Sequence, residues 1–271
     1  MDIPEELTEI YDSWNPNSGG FQSACSECAV RDERGCRSPF YGHGTFNTRG
    51  EVDIMLIGES PGTASQEDGA NPSVSGIRDF PEKQMEKISV AFGTNSPHIQ
   101  PFVDDLQNKY DVYYTNLLKC NKLAVPTDGD SWMPAKILDE QSEPTTGHSD
   151  LNDRAKETCI DYLITEIFRL DPDVIIPFGG NAMVREVYDL FGMSVPKLKD
   201  AINNRETYEI KLTSENHPRA YSGSLVPSYH FSENRFKSRV SNIVDVSGKT
   251  VNEARDQYWN IIIQMVERQL T

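Results

Sequence analysis

The fold class predicted for this chain is α/β: a three-layer α/β/α sandwich around a central, mainly parallel four-stranded sheet. Two observations predict it. Short apolar runs end abruptly in Gly, Pro or polar residues, as inner parallel strands do. Helical patterns lie between those runs, long enough to cross over and cover both faces of a sheet. No internal repeat and no linker between two core-sized pieces is present, so residues 1–271 are read as a single domain.

The four strand candidates are Asp53–Ser60, within "DIMLIGESPG", Asp111–Lys119 ("DVYYTNLLK"), Asp173–Gly179 ("DVIIPFG") and Leu225–His230 ("LVPSYH"). The helical patterns are "FVDDLQNKY", "DRAKETCIDYLITEIFRL", "GNAMVREVYDLFG" and the closing "TVNEARDQYWNIIIQMVERQL". Residues 123–150 are rich in Pro, Gly, Asp and Ser and lack clear periodicity, which predicts an insertion loop. The first 50 residues hold three cysteines and many glycines. They read as a cysteine-containing segment packed on the domain, without a core of its own.

Composition bounds the partners. No window is apolar enough for a membrane span, and the acidic start "MDIPEELTEIYDSW" lacks a basic-then-apolar signal, so a cytoplasmic monomer is expected. Against 26 Lys and Arg stand 42 Asp and Glu, a net charge of −16. Such a balance argues against a polyanionic ligand, because phosphates are bound by Lys and Arg. A second reading is a surface adapted to molar salt, where self-repulsion is screened. A nucleic-acid enzyme can then be acidic overall and basic only locally.

Ligands of open parallel sheets bind beyond the carboxyl ends of the strands. Glu59 sits at the end of the first strand, Asn116 lies late in the second and His230 ends the fourth. Each has an ordinary alternative: a helix cap, a turn amide and a hydrogen-bonded core histidine. Together they form a candidate site. The cysteines form another. Cys25 and Cys28 make a C-x2-C pair, and Cys120 and Cys159 follow from separate segments, with Cys36 as a fifth. A set of four thiolates suits a [4Fe–4S] cluster or zinc, while a buried Cys also packs as a small hydrophobe.

In their order, "CSEC", "LIGESPG", "YYTNLLKC", "CIDYLITEIFRLDPDVIIPFGGNA" and "VPSYH" resemble the iron–sulfur branch of the uracil-DNA glycosylase superfamily, often called family 4. The resemblance runs from about Cys25 to Arg235. It implies a DNA repair hydrolase that flips uracil, or a related deaminated base, out of DNA containing it and cuts the N-glycosidic bond. Glu59 and His230 would be catalytic, while Gly58, Ser60, Pro61, Gly62 and Asn116 would bind the nucleotide. Cys25, Cys28, Cys120 and Cys159 would hold a structural [4Fe–4S] cluster, with zinc the alternative. Joined to the acidic composition, the resemblance implies a haloarchaeal member.

The chain departs from the family pattern in three places. Where the family continues to a Pro-Phe that stacks on the base, this chain has Pro72-Ser73 and no aromatic until Phe80. "HFSE" replaces the usual His-Pro after the catalytic histidine. Cys120 and Cys159 are much further apart than usual. An altered base preference, or an inactive cluster-bearing nucleic-acid-binding relative, are therefore the alternative functions. Arg235, Lys237 and Arg239 form a locally basic stretch that suits phosphate contact or, equally, a solvated basic loop, and Tyr221, Tyr229, Phe231 and Phe236 are candidate wedge residues against DNA.

Overall fold

The computed structural model describes residues 42–59, 99–119, 124–127, 129–134, 148–179, 182–230, 239–244 and 247–271. Chain order is β1 (His43–Gly44), β2 (Ile54–Gly58), α1 (Gln100–Gln107), β3 (Val112–Asn116), β4 (Ala124–Thr127), β5 (Gly129–Pro134) and α2 (His148–Leu170). There follow β6 (Val174–Pro177), α3 (Ala182–Leu190), α4 (Leu198–Asn204), β7 (Tyr208–Leu212), β8 (Tyr221–Leu225) and α5 (Val251–Leu270). One sheet has the order β1-β3-β2-β6-β8-β7. Its four central strands run parallel, and β1 and β7 close the two edges antiparallel.

The centre of the sheet is thus the expected four-stranded parallel unit. β2, β3 and β6 are buried at every position, which explains their unbroken apolar runs. Alternate side chains feed opposite layers. Ile54, Leu56, Val112, Tyr114, Val174 and Ile176 pack beneath α1, α4 and α5. Met55, Ile57, Tyr113 and Ile175 pack beneath α2 and α3. The capping box of Thr250 and Glu253 starts α5, whose apolar stripe from Ala254 to Val266 covers the first face.

Two expectations need correction. The fourth strand is Tyr221–Leu225, not Leu225–His230, and the later stretch keeps only a single bridge, Phe178 to Ser228. "YSGSL" carries turn residues, but pairing with β6 on one side and β7 on the other overrides local preference. Gly223 is needed there, since a Cβ would stand 3.0 Å from the carbonyl oxygens of Pro172 and Asp173. Residues 123–150 are not simply a loop. They include the antiparallel β4–β5 hairpin and the first turn of α2. Within the first 50 residues, the described ones pack on the domain: β1 pairs with β3, and Phe46 is buried against Tyr113. Two residues of strand leave almost no sequence signal.

One buried ion pair ties the sheet to α2. Lys119, just past β3, donates from Nζ to Glu166 at 2.5 Å and to Thr115 Oγ1 at 2.6 Å. Glu166 also accepts from the hydroxyls of Tyr113 and Thr115, each at 3.0 Å. The two charged side chains are 2% and 0% exposed, so neither is solvated if its partner is lost. At the opposite, amino-terminal rim, Asp53, Asp111 and Asp173 precede three neighbouring strands. Desolvation, then the negative charge of Asp53, raises the carboxyl pKa of both Asp111 and Asp173.

Lys119→Met is expected to lower stability by about 3–5 kcal/mol in denaturant titrations, and adding Glu166→Leu should recover most of it. For Asp173, the folded pKa lies above the unfolded one, so ionisation weakens the fold as pH rises. Asp173→Asn should therefore stabilise the protein at neutral pH. That gain should vanish at acid pH, where the native carboxyl is protonated anyway, and shrink in molar salt.

Candidate active site

Register brings the polar residues to the carboxyl rim. Gly58 of β2 stands opposite Asn116 of β3, and Ile57 opposite Pro177 of β6. The pairing continues past the strands, with Leu118 N donating to the Glu59 carbonyl at 3.0 Å and Phe178 N to the Ile57 carbonyl at 2.9 Å. Gly179 N donates to the Ser228 carbonyl at 2.9 Å, which seats the segment ending in His230 beside β6. Asn116, Glu59, Gly179 and His230 thus follow one another along one rim. β6 lies between β2 and β8, so one strand separates the segment ending in Glu59 from the segment leading to His230.

Asn116 is fully buried, yet belongs to the strand and not to a turn. Its Oδ1 accepts from the Tyr114 hydroxyl at 2.9 Å. Its Nδ2 has no hydrogen-bond partner among the described residues. Buried amides are rarely left half satisfied, so an orphaned NH2 at a sheet rim is a position for a ligand acceptor. Gly58 leaves the space: a Cβ there would lie 2.6 Å from Tyr114 Oη and closer still to Asn116 Oδ1. Burial raises the Tyr114 pKa, and the phenol stays protonated.

Glu59 and His230 are both half-buried at the ends of their segments. The His230 segment is held from α5. Tyr258 Oη accepts from Tyr229 N at 2.8 Å and lies 3.0 Å from Ser228 Oγ. Gly179, with φ of 110°, lets the two segments close up: its Cβ would lie 3.4 Å from that of His230. Tyr114, Gly179 and Tyr258 were not singled out in the sequence. Tyr114 had a usable signal, because residues two apart in a strand share a face. Tyr258 had none, being one member of an apolar helical stripe.

The remaining candidates divide. Ser60, Pro61 and Gly62 lie outside the described residues, as do Cys25, Cys28, Cys36, Cys120, Phe231, Arg235, Phe236 and Lys237. Cys159 is buried on α2. Among the described residues no cluster of His, Cys, Asp and Glu forms a metal site, and no helix is long and apolar enough to cross a membrane. Two wedge candidates are core residues instead. Tyr221 is 1% exposed and donates to the Pro172 carbonyl, and Tyr229 is 7% exposed against Tyr258. Arg239 places its guanidinium over the Tyr229 ring at 5.3 Å.

The family model of the uracil DNA glycosylase superfamily matches residues 44–242. The chain belongs to the uracil DNA glycosylase superfamily. A comparison with curated proteins gave no match. The matched span contains Glu59, Asn116, Gly179 and His230, hence the whole rim of this superfamily member. α5, which carries Tyr258, lies beyond it.

Gly58→Ala should displace either the Asn116 amide or the Tyr114 hydroxyl. A destabilisation of about 1–3 kcal/mol is expected in thermal or chemical unfolding, together with a shift of the Asn116 side-chain resonances.

Proposed function

We propose that the chain is a monofunctional DNA glycosylase that hydrolyses the N-glycosidic bond of uracil, or a related deaminated base, flipped out of DNA. The observation that carries this reading is Asn116, a buried amide whose NH2 has no partner among the described residues, at the carboxyl rim of a uracil DNA glycosylase superfamily fold. An NH2 donor meets the O4 carbonyl of uracil, and a second lone pair of Oδ1 accepts from N3–H. Cytosine would present its own amine to that NH2 and a bare N3 to the oxygen.

The reaction breaks the bond between C1′ and the base nitrogen, and water adds to C1′. Positive charge builds on the sugar and negative charge on the departing base. Glu59 stabilises the first and orients the attacking water. His230 donates toward O2 and stabilises the second. Gly58 permits close approach of the nucleotide, and Ser60, Pro61 and Gly62 line the same turn. The absence of an aromatic at Pro72-Ser73 favours a second reading, the same chemistry on another deaminated base.

Within this reading the chain is of the iron–sulfur branch, with Cys25, Cys28, Cys120 and Cys159 as cluster ligands. The donor set suits the group: four thiolates are the usual ligands of a [4Fe–4S] cluster, and Cys159 supplies a buried thiol. Cys159 lies two turns before Glu166 on α2, and Glu166 holds Lys119, the residue before Cys120. The cluster would serve as a structural cross-link. The net charge of −16 supports activity in molar salt, as in a haloarchaeal member.

Incubation with uracil-containing single- and double-stranded oligonucleotides in molar salt, followed by alkali cleavage, tests the activity. Glu59→Gln should slow release by about 10²–10⁴-fold and His230→Ala by about 10²–10³-fold. Wild-type rates in both variants would refute the assigned roles. Iron and acid-labile sulfide analysis of the purified protein separates cluster from zinc.

A further inference from the structure

A carboxamide is nearly symmetric in shape but not in chemistry. Turning it over exchanges a donor for an acceptor, so a site that reads a base with an asparagine must also fix which end faces the base. In this chain Tyr114 is placed to do that. It lies two residues before Asn116 on β3, on the same face of the sheet, and its hydroxyl is 2.9 Å from Asn116 Oδ1. Both side chains are buried, at 4% and 0% exposure, so water does not compete for the contact. The opposite strand position is Gly58, the residue type that leaves room for both groups.

We propose that Tyr114 is a specificity-determining positioning residue: its hydroxyl anchors Asn116 Oδ1 and so turns the NH2 toward the bound base, selecting a carbonyl over an exocyclic amine. The inference rests on the base-binding role proposed for Asn116. Burial keeps the phenol protonated, so the anchor acts as a donor throughout the working pH range. One lone pair of Oδ1 is used by Tyr114 and the other remains for a ring N–H. Asn116 alone, without the anchor, can turn over and accept the amine of cytosine. Tyr114 is therefore what makes the amide a one-way reader.

The test is Tyr114→Phe, which removes one oxygen and keeps the ring in the core. Two readouts separate the anchor from the activity. Selective ¹⁵N labelling of asparagine, with Asn116 assigned by Asn116→Asp, reports the side-chain NH2 directly. The wild type should give one sharp, slowly exchanging pair that moves on addition of uracil. Tyr114→Phe should shift that pair and broaden it by exchange between two orientations. Inhibition of the glycosylase by free uracil should weaken about tenfold, the worth of one such hydrogen bond, while inhibition by cytosine should not.

Unchanged Asn116 signals and an unchanged uracil-to-cytosine ratio in Tyr114→Phe would overturn the inference and leave the glycosylase reading intact. A wild type that neither releases nor binds uracil would end the base assignment, and the NH2 signals would still decide whether Tyr114 anchors the amide. Should Tyr114→Phe fold poorly, 3-fluorotyrosine at position 114 preserves the shape and alters the donor. The same Asn116 pair must then move, and its failure to move counts against the anchor.

Discussion

The pairing of β2 between β3 and β6 is the constraint on which the rest depends. β2 is buried on both faces and hydrogen-bonded on both edges, so its register has no slack. A slip of one residue would exchange the layers into which Ile54, Met55, Leu56 and Ile57 point. The same register puts Gly58 against Asn116 and ends the strand beside Phe178. Core packing and site geometry are therefore one arrangement. The polar rim is held in place by the energy of the apolar strands beneath it.

Polarity is divided between the two ends of the sheet. Carboxylates collect where the strands begin, at Asp53, Asp111 and Asp173, and desolvation, with the charge of Asp53 second, raises the pKa of the latter two. The carboxyl rim instead carries an amide, an imidazole and one acid. Side support for the rim comes from buried polar contacts: Lys119 with Glu166, Tyr114 with Asn116 and Tyr258 with Ser228 and Tyr229. Such contacts cost desolvation and give back orientation, which is what a site needs from them.

The inner strands were legible because double-sided burial writes itself as a continuous apolar run. β8 was not, since "YSGSL" is stabilised by partners on both sides and not by its own residues. β1 and the β4–β5 hairpin escaped for the same reason: short or turn-rich strands exist only by pairing. The wedge reading of Tyr221 and Tyr229 failed because an aromatic near a basic stretch looks the same in sequence whether it faces DNA or the core. Pro172 and Tyr258, far away in the chain, decided the matter.

By itself the sequence determined the inner strands β2, β3 and β6, the helices α1, α2, α3 and α5 that cover them, though not the short α4, and the order of the polar strand ends, because these follow from local periodicity and from the general position of ligands in such sheets. Only the tertiary structure decided that Asn116 has one end anchored and the other without a hydrogen-bond partner among the described residues. It also decided that the His230 segment is held by a helix outside the matched span. Both depend on contacts made across the fold, or between neighbours whose orientation the fold imposes, and no local pattern encodes which end of an amide will meet a hydroxyl.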